Sequence, residues 1–310
     1  MAVVAVLNPP ADRHQLALPA GALAVLAWSL GPLCVRGIDA STPTIVFFRL
    51  WMAQPPMLAL AWLSGGGISR SSLRIAALPG VLFALGLITS FASYQHTSIV
   101  NATLIGSLTP AVMMVAAPRI FGDERSGRQY LMAGIAFAGL AIVVLGAGKT
   151  SGAGWDGNIY ALLNLAVFTV YFIRMKHSRN AGVPAASLIA SVFLVAAVVA
   201  TPWALAVSDD LGALRGNDWL LLVTMVLGPG LVGHGLMTWA QRYLDITTAS
   251  LLTLGQPPLS TLGAYLFYDE RLTLMQVIGA GVVLAGLAGV VAHVRSAAAE
   301  PESALSLTVE

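Results

Sequence analysis

The sequence predicts an all-α integral membrane protein of ten transmembrane helices, arranged as two inverted five-helix repeats. Three observations carry that prediction. The composition is too apolar for a water-soluble surface: charged residues make up 10 % of the 310 residues and hydrophobic ones 57 %, with a mean hydropathy of +0.81, where soluble domains carry about 25 % charge. The apolar runs are continuous and about twenty residues long, the length at which a helix crosses a bilayer; an outer-membrane barrel would instead show ~10-residue stretches of alternating polarity. Finally, part of the second half repeats part of the first at a fixed offset.

The repeat is read directly from the chain. Ala102-Thr-Leu-Ile-Gly-Ser-Leu-Thr-Pro110 is matched 147 residues later by Ala249-Ser-Leu-Leu-Thr-Leu-Gly-Gln-Pro257. At the same offset Ser126 and Gln129 answer Thr273 and Gln276, Gly134 answers Gly281, Gly139 answers Gly286 and Val143 answers Val290. The tripeptide Asp123-Glu124-Arg125 recurs as Asp269-Glu270-Arg271, one residue out of step. Each tripeptide precedes an expected helix start, where acidic residues meet the positive end of the helix dipole. Ser126 with Gln129, and Thr273 with Gln276, have the spacing of capping boxes.

Charged and Pro/Gly-rich breaks divide the apolar runs into ten expected spans, near 17–36, 44–63, 73–94, 98–118, 128–147, 157–176, 185–206, 218–241, 247–267 and 273–294. The first begins after Arg13 and ends at Arg36; the second opens behind Pro43 and closes before Gly65-Gly66-Gly67. The third and fourth are separated by a few residues around His96 and Thr97, and the fourth ends at Arg119. The fifth follows the first tripeptide, the sixth follows Asp156, the seventh follows Pro184 and the eighth stops at Arg242. The ninth and tenth flank the second tripeptide. Residues 1–16 and 297–310 are tails, and the two repeats are expected at 17–148 and 155–296.

Charge orients this arrangement. On one side of the alternating connections stand Arg13; Arg70 and Arg74; Arg119, Arg125 and Arg128; Arg174, Lys176 and Arg179; Arg242; and Arg295, eleven in all, against Arg36, Lys149, Arg215 and Arg271, four, on the other. Lys and Arg gather on the cytoplasmic side, so both tails are expected there and the span number is even. Five spans per repeat is odd, so the second repeat enters the membrane from the opposite side and the pseudo-two-fold axis lies in the membrane plane. The net charge of +2 follows from this distribution and makes no case for nucleic acid. The one cysteine, Cys34, excludes an intrachain disulfide.

Duplicated halves point to transport, because alternating access needs two pseudo-equivalent halves about one site. No Asp or Glu stands in the middle of an expected span; an ion-coupled pump usually keeps such a carboxylate. No P-loop, metal-ligand cluster or hydrolytic constellation is present, so neither a catalytic residue, a metal nor a cofactor is expected. Arg49 is the one basic residue inside a span. It either holds a substrate carboxylate or pins helix ends by bonding backbone carbonyls. His234, at mid-span among Gly228, Gly230, Gly233 and Gly235, either bonds a neighbouring helix or lines a cavity that the glycines open. Trp28, Tyr171 and Trp239 lie deep enough to stack on an aromatic solute, or else pack helices. Asn101, Asn164 and Gln256 are amides that need partners in an apolar bundle. Pro110 and Pro257 stand at equivalent places in the fourth and ninth spans. Each removes an N–H and frees the carbonyl four residues back, that of Gly106 or Thr253. These four residues are the expected hinges.

Ten spans in two halves, a proline in the middle of the fourth and ninth, an acidic-Glu-Arg break before the fifth and tenth, and Arg49 in Phe47-Phe48-Arg49-Leu50 together resemble the EamA branch of the drug/metabolite transporter superfamily. Size and the Trp/Tyr-rich spans look most similar to aromatic amino acid exporters of the YddG type. The resemblance implies a secondary transporter of the inner membrane that works as a monomer and exports a small neutral or zwitterionic solute. Span 7 has no arginine to answer Arg49, so that feature is not duplicated. A channel-like facilitator is the alternative; a membrane-embedded enzyme has no motif behind it. The expected partners are the lipid bilayer and an amino-acid-like small molecule.

Overall fold

The computed structural model describes residues 10–64, 66–109, 120, 127–146, 155–244, 246–268, 274–275, 277–279, 281–282, 285–286 and 289, and the described residues form helices and their connections with no strand among them. The helices are α1 (Pro10–Trp28), α2 (Leu30–Gly37), α3 (Thr42–Met52), α4 (Gln54–Leu63), α5 (Arg70–His96), α6 (Ile99–Gly106), α7 (Gly127–Gly146), α8 (Trp155–Asn180), α9 (Ala185–Val207), α10 (Asn217–Met225), a π-helical segment (Val226–His234), α11 (Gly235–Ala240), α12 (Ile246–Leu252), a 3₁₀ turn (Thr253–Gly255) and α13 (Gln256–Tyr268). Among the described residues, 6 stretches are long and apolar enough to cross a membrane: Gln15–Gly37, Thr42–Leu63, Arg70–His96, Asp156–Asn180, Ala185–Val207 and Asn217–Ala240. The expected spans 98–118 and 273–294 are described only in part. Pro110, both Asp-Glu-Arg tripeptides, Ser126, Thr273 and Gln276 lie outside the described residues, as do the side chains of Asn101, Gln129 and Trp155.

α5 is the axis of the bundle and packs against α3, α8 and α9. Small residues make the approach close. A Cβ added at Gly80 would come within 2.5 Å of Val195 on α9, and one at Gly86 within 2.6 Å of the Phe168 ring on α8. Phe83, fully buried on α5, meets Phe193 and Tyr171 with ring centroids 4.8 and 5.6 Å apart. The outward faces carry exposed apolar side chains such as Leu23, Leu162, Leu205 and Leu266, as lipid contact requires. Near the end of α8, Lys176 donates to the carbonyls of Gln241 (2.8 Å) and Leu244 (2.7 Å) and so closes off the end of α11.

Among the described residues four spans are broken, and proline accounts for each break. The first turns at Ser29, three residues before Pro32; the Ser29 carbonyl accepts the Ser260 hydroxyl at 3.1 Å. The second turns at Ala53, ahead of Pro55-Pro56. The eighth widens into the π segment around Pro229. The ninth tightens into the 3₁₀ turn just before Pro257-Pro258. α1 begins at Pro10, ahead of the apolar stretch that starts at Gln15. Proline suits the first turn of a helix, where its missing N–H is not needed.

The connections after α2 and α9 tie the two halves together. Asp210, just past α9, accepts from the Ser41 backbone N–H (2.6 Å) and the Ser41 hydroxyl (2.6 Å), and from the hydroxyls of Thr44 and Ser208, the last at 3.0 Å. Burial alone would raise its pKa, but these bonds outweigh it and hold the carboxyl at about 2. Gln95 adds a second tie within the first half, donating to the Ala40 carbonyl at 2.7 Å and accepting from Thr42.

Candidate functional site

Three of the four broken spans, together with the end of α6, surround one cavity. Trp28, Gly31 and Pro32 come from the first break, Pro229 and His234 from the π segment, Thr253 and Gln256 from the 3₁₀ turn, and Gly106, Ser107 and Thr109 from the end of α6. The remaining walls are Arg49, Thr103 and Asn164, with Leu87, Ser90, Phe91 and Tyr94 of α5 and Phe168 and Phe172 of α8. About 830 Å³ of space lies between these walls, the open mouth included. Irregular backbone at membrane depth is tolerated where it faces protein or lines a cavity, and here the breaks and the cavity coincide.

Arg49 is the cation of this site. It is 3 % exposed, its guanidinium lies 5.2 Å from the centroid of the Phe91 ring, and its Nε and Nη1 have no hydrogen-bond partner. Of the two roles open to Arg49 from the sequence, pinning of helix ends by these two N–H groups is absent. Trp28 adds a third unpartnered donor, its indole Nε1. Its ring is set by Gly233, where an added Cβ would stand 2.6 Å from Trp28 Cδ1 and Nε1. His234 is held in an aromatic box, with ring centroids 5.0 Å from Trp28, 4.7 Å from Phe83 and 5.7 Å from Phe193.

Another part of the wall presents hydroxyls whose protons are committed to their own helix. Thr103 donates to the Ile99 carbonyl (2.8 Å), Ser107 to the Thr103 carbonyl (2.6 Å) and Thr109 to the Gly106 carbonyl (2.8 Å). Asn164 donates through Nδ2 to the Gly86 carbonyl (2.8 Å) and the Thr89 hydroxyl (3.3 Å). These bonds also settle the carbonyls that the hinge prolines were expected to free: Gly106 O accepts from Thr109, and Thr253 O accepts the Gln256 backbone N–H inside the 3₁₀ turn. Gly106 and Thr253 line the cavity while their carbonyls are bonded locally.

Among the described residues no cluster of His, Cys, Asp or Glu could hold a metal ion. Of the residues singled out in the sequence, Trp28, Arg49, Asn164, His234, Gln256, Gly106 and Thr253 line the cavity. Tyr171 and Trp239 do not. Tyr171 turns into the core against Phe83, Phe168 and Phe172, and Trp239 packs on Tyr243 at 5.1 Å in the cluster between α1 and α11. Their position along the span was legible in the sequence; the direction they face was not. Pro257 is buried in α13 beside the cavity. Thr103, Ser107, Thr109, Phe91, Tyr94, Phe168 and Phe172 were not anticipated. The i, i+4 spacing of Thr103 and Ser107 was the available signal for a polar stripe on α6.

A bundle of broken apolar helices around a polar-patched cavity is the architecture of a membrane transport protein, and the comparisons agree. The model of the EamA-like transporter family matches residues 15–145 and again 155–292. The chain therefore belongs to the EamA-like transporter family of the drug/metabolite transporter superfamily. It is similar to an uncharacterized transporter of Archaeoglobus fulgidus, 22 % identical over 253 residues that cover 82 % of this chain and 88 % of the relative. A solved structure, described as the crystal structure of a protein, superposes with a TM-score of 0.72 at 19 % identity, covering 90 % of this chain and 98 % of the other; it shares the fold.

Proposed function

We propose that this member of the family is a secondary transporter of the inner (plasma) membrane that exports a small neutral or zwitterionic metabolite. The solute is of the amino-acid type, with an aromatic or other apolar side chain. The observation that carries the reading is the composition of the cavity wall: aromatic rings, a single buried arginine, and no Asp or Glu among the described residues that line it. An organic cation would want a carboxylate there, and a phosphorylated solute would want several basic groups. One cation with aromatic walls suits a solute with one carboxylate and an apolar body.

The proposal includes ten spans in two inverted repeats, both tails in the cytoplasm, function as a monomer, and alternating access. The kinks near Pro110 and Pro257 swing opposite ends of the cavity open in turn. The test is a panel of radiolabelled amino acids, with a sugar phosphate and a quaternary amine as contrasts, in proteoliposomes. Saturable uptake of apolar amino acids that is accelerated by the same solute on the opposite side supports the reading. Uptake that never saturates points to a channel-like facilitator, and uptake confined to the contrast compounds refutes the substrate class.

A further inference from the structure

Resting on that reading of the cavity, we infer that it takes its solute in one orientation and requires both charged ends of an α-amino acid: Arg49 and Trp28 hold the carboxylate, while Thr103, Ser107, Thr109 and Asn164 hold the ammonium group.

The argument is an inventory of unspent hydrogen-bonding capacity. A buried N–H without a partner costs free energy, and the cost is larger on a charged group. Arg49 keeps two such N–H groups, at Nε and Nη1, and Trp28 keeps one at Nε1. All three are donors, and both side chains line the cavity. Donors alone call for an acceptor, and a guanidinium calls for an anionic one. A carboxylate offers two oxygens and pairs with the planar fork of arginine.

The second pole is made by elimination. A hydroxyl has one proton and two lone pairs. Thr103, Ser107 and Thr109 give their protons to carbonyls of their own helix, so toward the cavity they can only accept. Asn164 gives both Nδ2 protons to Gly86 and Thr89, so its Oδ1 remains as an acceptor. Acceptors without donors suit an ammonium group, which has three protons and no lone pair. A solute with one pole and not the other leaves buried groups unpaired, the condition under which a site discriminates most strongly. Phe91, beneath the guanidinium, and Phe168 and Phe172 supply apolar wall for the side chain.

The test is equilibrium binding to the purified full-length protein in detergent, which does not depend on flux. For L-phenylalanine, L-leucine and L-threonine, the parent is compared with its amide, its decarboxylated amine and its des-amino acid. The expectation is that at least one parent binds and that all three of its analogues bind about ten- to a hundredfold more weakly, the loss expected for a hydrogen bond to a charged group. Arg49→Gln brings that parent down to the level of its amide. Thr103→Val, which keeps the volume, weakens the parent and leaves the des-amino acid unchanged, an effect that general loosening of the fold would not give. Binding of an amide or a des-amino acid within threefold of its parent overturns the two-pole inference and leaves the proposed transport of amino-acid-like solutes standing. Absence of binding by every parent overturns both.

Discussion

Removing the Asp210 carboxylate should loosen the protein at neutral pH and have no effect in strong acid. Asp210 receives four hydrogen bonds, two from Ser41 and one each from Thr44 and Ser208, and Thr44 is fully buried. Its pKa is lowered from 3.8 to about 2, which at 1.36 kcal/mol per unit would be worth ~2.5 kcal/mol. The group is half-buried at the water-facing end of the bundle, so screening leaves about 1 kcal/mol. Asp210→Ala should therefore lower Tm in detergent at pH 7 by about 2–4 °C. The sign follows from the direction of the shift. A carboxyl with a depressed folded-state pKa contributes stability above its unfolded value, near 4, and that contribution disappears as pH falls through about 2. The gap between parent and variant should be full at pH 7, shrink below pH 4 and close near pH 2. The neighbouring exposed Asp209 is the control, and Asp209→Ala should leave Tm unchanged. Equal melting of Asp210→Ala and parent at pH 7, or a gap that persists at pH 2, would refute the reasoning.

Three other outcomes are expected. Gly233→Ala places a methyl group 2.6 Å from the Trp28 ring, so transport should fall while protein abundance holds, overpacking costing about 1–3 kcal/mol; an unchanged transport rate would show that the ring position is immaterial. Pro110→Ala and Pro257→Ala should each slow transport at near-normal abundance, with Pro258→Ala milder, and parental rates for both of the first two would end the hinge idea. In a Cys34→Ser background, single cysteines placed beside Arg13 and Arg295 should resist an impermeant thiol reagent in intact cells, and labelling of either would reverse the proposed topology.

The sequence showed how deep a residue lies but not which way it faces. Composition and break residues located six spans to within a few residues, for example 185–206 against Ala185–Val207, because the bilayer sets helix length. Pro257 marked a real irregularity, although the turn falls just ahead of it, in Thr253–Gly255. Direction was hidden because a helix that is apolar all round carries no amphipathic stripe to orient it. Tyr171 and Trp28 both sit deep, yet Tyr171 faces the core and Trp28 the cavity, and the difference lies in partners such as Gly233 and Phe83 on distant segments. The hydroxyls of α6 were overlooked for a related reason. Ser and Thr in membrane helices commonly bond their own carbonyls, and only the cavity beside them makes their remaining lone pairs consequential.

Arg49 stands in one half of a duplicated chain, and span 7 offers no second arginine. Whatever symmetry relates the two halves, the site between them is lopsided. Arg49 lies eight positions into a stretch that begins at Thr42, toward the end of the bundle where Ser41 meets Asp210, so the two approaches to the site are chemically unequal. A solute leaving by that end parts from the cation last; one coming the other way meets it first. A duplicated scaffold thus offers unlike contacts on its two approaches because of a single side chain, while the direction of net flow remains with the gradient that drives it.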